Sequence, residues 1–183
     1  MSNQTFHYTA PDGSAPYGDT AQINGDVLFG GPGVFDVSAT GMWFLSAAND
    51  AVDFDPGSNF DGVIMSQGGY VSLNGSYNFV TGSGILSVSE AGAGDRHNTI
   101  DVTTGVTELS VHDVKPTDVI RMHGFTAADI SAAFAHAQPV TPSAELVTFN
   151  HAAGGGAPAR SLGVWLTTLD DGHYGTAAQF HAV

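Results

Sequence analysis

Between Ile23 and Met122 the chain is broken into short apolar runs, most of them three to six residues long, each followed by a cluster of turn formers. The runs include "VLF" at Val27, "VFDV" at Val34, "MWFL" at Met42, "VIM" at Val63, "YNFV" at Tyr77, "TIDV" at Thr99 and "VIRM" at Val119. Between them stand "GGPG", "DPGSN", "QGG", "NGS", "TGSG" and "GAGD". Runs this short fall below the roughly ten periodic residues of an ordinary amphipathic helix. They suit strands, and partial alternation within them points the same way. Gly and Asn tolerate positive φ and Pro fixes its own, so the turns have a physical basis of their own. "NG" at Asn74-Gly75 would suit a tight hairpin.

Two architectures fit this pattern. A parallel β-solenoid would stack the runs in coils, and an antiparallel β-sandwich or barrel would use them as a meander. The run starts lie roughly seven to fourteen residues apart, too irregular for a strict repeat. Either way the class is mainly β.

The 183 residues fit one domain with a sizeable core. Formal net charge is -14, and the only basic side chains besides histidine are Arg96, Lys115, Arg121 and Arg160. None precedes Arg96, so the first half is acidic throughout. A field of this sign repels nucleic acid and anionic membrane surfaces and attracts cations. There is no cysteine, which removes disulfides, thiol catalysis and cysteine-held zinc. The opening "MSNQTFHYTAPDGSAPYG" has neither the basic cap nor the apolar core of a secretory signal peptide. No stretch approaches the roughly 20 apolar residues of a membrane-spanning helix.

The chain divides into three parts on this reading. Residues 1–20 are polar and rich in Pro and Gly, and are expected to form an extended N-terminal arm. Residues 21–125 hold the series of runs. Residues 126–183 are expected to form a C-terminal cap of one helix and several strands. In "GFTAADISAAFAHAQP", Thr126 stands at an N-cap position with Asp129 three residues on, a capping-box start. Ile130 and Phe134 share a face, and Pro139 is expected to end the helix. "PSAELVTFN" and "SLGVWLTTL" read as two strands joined through "HAAGGGAPAR".

"NGDVLFGGPG", Asn24 to Gly33, resembles the RTX-type calcium-binding repeats of proteins exported by type I secretion, whose nonapeptide is G-G-x-G-x-D-x-U-x. Asp26 takes the aspartate position and Leu28 the apolar one. Gly30, Gly31 and Gly33 begin a further repeat, in which Phe35 stands where the aspartate belongs. "GAGDRHNTIDV", from Gly92, keeps two glycine positions but puts Arg96 at the aspartate position. "DVKPTDVIRMHGF", from Asp113, is similar to the segment that follows such repeats: Pro116, Asp118, Ile120, Met122, Gly124 and Phe125 match in order, with Val114 replacing a Phe. The resemblance covers about half the chain. It implies a parallel β-solenoid or β-roll core with degenerate repeats, a C-terminal cap, and export to the bacterial cell surface or medium through a C-terminal signal. On this ground the solenoid is preferred to the sandwich.

Calcium takes six to eight oxygen ligands, and in a β-roll they come from successive turns. Asp26 alone is not a site. The densest acidic run, "NDAVDFDPGSNFDG", places Asp53 and Asp55 on one strand face with Asp61 in the loop beyond. Asp26, Asp53, Asp55 and Asp61 are thus the candidate calcium ligands. The competing reading is a solvated acidic edge that discourages strand pairing. The eight histidines form no metal-binding spacing, and the nucleophile motif G-x-S-x-G is absent. Trp43, Phe44, Tyr70, Tyr77 and Phe79 either line a sugar-binding face or pack between coils.

The expected function is that of a non-enzymatic, secreted structural protein whose partners are copies of itself, assembled into a fibre, surface layer or matrix, or used in adhesion. The open strand edges of a short solenoid would serve for stacking. The rival expectations are a calcium-binding module that folds after export, and a protein that binds or degrades surface polysaccharide.

Overall fold

The computed structural model describes residues 5–9, 22–23, 26–29, 34–38, 43–46, 50–54, 56–90, 96–154, 158–168 and 175–183, with side chains from residue 43 onward except residue 50. Among the described residues, fifteen strands and one α-helix follow in chain order. They are β1 (Thr5–Thr9), β2 (Gln22–Ile23), β3 (Asp26–Phe29), β4 (Val34–Ser38), β5 (Trp43–Ser46), β6 (Asp50–Phe54), β7 (Gly62–Met65), β8 (Gly69–Leu73), β9 (Phe79–Ser89), β10 (Thr99–His112) and β11 (Val119–Met122). Helix α1 (Ala127–Ala135) comes next, then β12 (Gln138–Thr141), β13 (Ala144–His151), β14 (Arg160–Thr167) and β15 (Phe180–Ala182).

The core is a parallel β-solenoid. Its first wall runs β3, β5, β7, the first half of β9, the first half of β10, β11 and β15, all parallel. The second wall runs β4, β6, β8, the second half of β9, the second half of β10 and β14, also parallel. Strands β9 and β10 pass through both walls, with register shifts between Val102 and Glu108 where they turn from one to the other. The antiparallel sandwich is thereby excluded. Asn74-Gly75 is a corner between parallel strands rather than a hairpin turn.

Alternation explains the walls. Along the first wall Phe44, Val63, Val80, Ile100 and Ile120 occupy equivalent positions and point inward, all buried. Along the second, Val52, Val71, Val88 and Val111 do the same. Each such side chain contributes roughly 1.5–3 kcal/mol through burial. Stacking like on like lets successive coils share one interior without a strict repeat length.

Antiparallel strands stand at both ends. β1 pairs antiparallel with β4 and β2 with β3, so part of the expected arm is an added strand. At the other end β14, β13 and β12 form an antiparallel ribbon. The edge strand β12 is exposed throughout and contains Pro139, which lacks the N–H needed to extend a ladder. Proline was expected to end the helix. The helix in fact stops earlier, at a His136 cap whose N–H bonds to the Ala133 carbonyl, with the Ala137 N–H on that of Phe134, and Pro139 blunts a strand edge instead. The stacking edge expected at this end is therefore blunted where the second wall continues into β12.

Helix α1 begins with the expected capping box, Thr126 and Asp129 bonding reciprocally. Ile130 is buried, and Phe134 packs edge-on against Phe149 of β13 and Phe180 of β15. Arg160 of β14 ties this cap to the solenoid. Its guanidinium donates to the carbonyls of His123, Thr103 and Val106 and lies 4.7 Å over the Phe125 ring.

Candidate functional site

Two features of the solenoid go beyond what a core requires. One is a corner, and the other is the outer face of the first wall.

The corner is where the chain passes from the second wall back to the first. The residues just before β7, β9, β10 and β11 are Asp61, Asn78, Asn98 and Asp118. From Asn78 onward, the side chain of each rung accepts the backbone N–H of the rung before. Asp61 donates to Asn78 Oδ1 at 3.0 Å, Asn78 to Asn98 Oδ1 at 2.8 Å, and Asn98 to Asp118 Oδ1 at 2.9 Å. All four are buried. An amide or carboxylate of this length carries an acceptor across one coil spacing, so it satisfies a backbone donor that the turn leaves without a ladder partner. Gly75 belongs to the same corner, where a Cβ would lie 1.6 Å from the Ser58 carbonyl oxygen. No other residue fits there.

One position earlier stand Phe60, Tyr77 and His97. All three have positive φ, near 60°. For non-glycine residues this costs about 1 kcal/mol each. Their rings form a continuous stack, Phe60 on Tyr77 and Tyr77 on His97, each pair at 5.0 Å with planes 10° apart. Each stacked pair contributes about 0.5–1.5 kcal/mol, which offsets the backbone strain.

The ladder has an acidic neighbour. Glu90, at the end of β9, is fully buried. Its Oε2 accepts from the Asn98 amide at 2.7 Å, while Oε1 has no hydrogen-bond partner. Burial, and next the charge of Asp118, push the Glu90 carboxyl up to about 8. The Asn98 bond and the positive charges of Arg96 and Lys115 only partly oppose this. Asp118 is itself raised, chiefly by burial, against bonds from the Lys115 and Asn98 amides. Arg96 donates to the Gly75 carbonyl and adds positive charge at the degenerate repeat "GAGDRHN", residues 92–95 of which lie outside the described residues.

The outer face of the first wall changes along its length. In β5 and β7, Trp43, Leu45 and Ile64 are 44%, 41% and 38% exposed. The Trp43 ring lies over Gly62, where an added Cβ would come within 2.5–2.8 Å of three ring atoms. It reaches across the glycine to Phe79, 5.6 Å between centroids. With the Phe60–Tyr77 stack beside it, this end of the wall presents an apolar surface. At the other end the equivalent positions hold Asp101 and Arg121, with His123 bonding Asp101 at 3.0 Å.

The candidate calcium ligands are not gathered in one place among the described residues. Asp53 lies on the second wall in register with Asp36 and Ser72, and its Oδ1 accepts from Asn74. Asp61 is a buried rung of the corner ladder. Asp26 lies in β3, its side chain outside the described residues, and Asp55 is wholly outside them. No three His, Asp or Glu side chains form a metal-holding group among the described residues.

The five aromatics do not form one face. Phe44 is in the core, Tyr70 is on the second wall, Tyr77 is in the corner stack, and Trp43 and Phe79 share the outer first wall. On the second wall Ser87 Oγ lies 3.5 Å from His112 Nε2, and His112 Nδ1 meets the Thr167 hydroxyl. Thr167 stands where a hydrolytic triad would have a carboxylate.

No protein-family model, curated protein or solved structure matches the chain. Among the described residues no helix is long and apolar enough to cross a membrane.

The sequence reading missed the ladder, the aromatic stack and Glu90. A signal for the first two is present: "FDGVIM", "YNFVTG", "HNTIDV" and "TDVIRM" share an Asn or Asp ahead of an alternating strand. Their unequal spacing hides the repeat.

Proposed function

We propose that the protein is a non-enzymatic, secreted structural protein that associates with copies of itself, through the outer face of its first wall, into a surface layer, fibre or matrix. The observation that carries this reading is the apolar surface formed by Trp43, Leu45, Ile64 and Phe79. Trp43, Leu45 and Ile64 are exposed, with Phe79 half-buried beneath Trp43, and the solenoid interior does not call for apolar side chains at these outward positions. Large exposed apolar patches mark sites of association. The surface lacks charge in a chain whose net charge of -14 otherwise keeps copies apart. The blunted edge at β12 favours lateral association over end-to-end stacking at that end. Secretion follows from the RTX-like stretches and remains part of the same proposal.

Electron microscopy of the purified protein tests it. Regular arrays or filaments are the expected result. Dispersed single particles at every concentration tried would refute it.

A further inference from the structure

We propose that the Glu90 corner is a pH-operated fastening: gain of charge on this carboxyl unseats the Asn78–Asn98–Asp118 ladder and loosens the last coils and the cap. The inference is independent of how the protein assembles. It rests on the wiring of Asn98, the central rung. The Asn98 backbone N–H bonds to Asp118, and its side-chain oxygen receives the Asn78 N–H. Its amide nitrogen is shared between the Gly75 carbonyl at 3.3 Å and Glu90 Oε2 at 2.7 Å. Every polar group of the Asn98 side chain is thus committed, and Glu90 is the one titratable group bonded to it. Through the Glu90 N–H, bonded to the His112 carbonyl at 2.9 Å, the same corner is tied to the strand that pairs with β14 of the cap.

The site is poorly made for a carboxylate. Glu90 is fully buried, one of its oxygens has no partner, and a second acid faces it from the next rung. The charged groups facing it among the described residues are Asp118, Arg96 and Lys115. Arg96 directs a guanidinium N–H to the Gly75 carbonyl, and Asp118 receives the Lys115 backbone N–H. Neither cation is hydrogen-bonded to Glu90. A neutral acid fits this setting, whereas an anion there must draw in water or move.

The direction of the effect follows. The carboxyl is raised from 4.5 to about 8 in the folded protein. The folded chain therefore holds a proton that the unfolded chain has already lost over that interval. The stability due to Glu90 is complete below the unfolded value and is lost as pH rises through the folded one. Asp118, also raised, acts in the same direction.

The test is a carboxyl ¹³C titration of the wild-type protein, the Glu90 resonance being assigned by its loss in Glu90→Gln. The expected midpoint lies above pH 7, and a midpoint in the ordinary carboxylate range would overturn the proposal. Urea unfolding from pH 5 to pH 9, in about 0.5 M salt to screen the general surface charge, provides a second reading. Wild type is expected to lose more stability across this range than Glu90→Gln, in which only Asp118 of the pair still titrates, and equal slopes would overturn the proposal. Amide exchange places the effect. After correction for intrinsic pH dependence, Asn98 and Val119 should exchange about tenfold faster at pH 9 than at pH 6, with Val63 unchanged. Uniform acceleration at all three would contradict a local fastening. Should Glu90→Gln fail to fold, the exchange measurement and a titration assigned by through-bond spectra decide alone.

Discussion

The coils built on β5 and β7 and those built on β10 and β11 have one interior and two exteriors. Inward, Phe44 and Val63 at one end correspond to Ile100 and Ile120 at the other, all buried. Outward, Leu45 and Ile64 at one end correspond to Asp101 and Arg121 at the other. The fold accepts either exterior, because outward positions of a solenoid wall meet only their neighbours and solvent. The apolar exterior of β5 and β7 is therefore a property the fold does not demand, and function is the place to look for its cause. The corner ladder runs along both ends without this change of character, which marks it as structural.

The comparison is sharpened first at the ladder. Asn98→Ala removes the acceptor of the Asn78 N–H and the donor to Glu90 and Gly75 in a buried site. A loss of about 3–5 kcal/mol is expected from unsatisfied buried groups, seen as a lower urea midpoint. Arg160→Ala comes next. It strips the carbonyls of Thr103, Val106 and His123 of their donor and should cost about 2–4 kcal/mol, with the cap exchanging its amides faster than the first coils.

Tyr77 gives a smaller effect with a diagnostic order. Tyr77→Ala loses stacking on both sides and keeps the strained φ, for about 1–3 kcal/mol. Tyr77→Gly loses the same stacking but relaxes the backbone, so it should be more stable than the alanine variant by up to about 1 kcal/mol. In an ordinary strand or helix glycine is the worse choice, and thermal unfolding of the pair distinguishes the two cases. The smallest effect on stability belongs to the outer face. Ile64→Thr should shift folding by no more than about 0.5 kcal/mol, as solvent-facing changes do, and still weaken association.

Much of this fold was legible because it rests on local chemistry. Short alternating runs give strands, and Thr126 with Asp129 gives a capped helix start. The pairing of β13 with β14 follows from two long alternating stretches joined by a glycine-rich loop. The corner was illegible for physical reasons. Phe60, Tyr77 and His97 adopt a conformation that their side chains disfavour, so nothing in local propensity announces it. Asp61 read as a metal ligand because its place in the corner depends on the next coil, where the Asn78 side chain, seventeen residues on, accepts its backbone N–H. Glu90 drew no attention because its burial comes from coils that meet only in three dimensions. Strand β12 was missed because Pro139, set just after a helix, reads as a stop signal whether or not a strand follows.

The central claim is that the outer face of β5 and β7 joins copies of this protein. Light scattering of wild type and a Trp43→Ser, Ile64→Thr double variant, over a wide range of concentration, tests it most directly. The account predicts that wild-type mass rises with concentration while the double variant, equally folded by circular dichroism, stays monomeric. A wild type that is monomeric throughout, or a double variant that associates just as strongly, would contradict it.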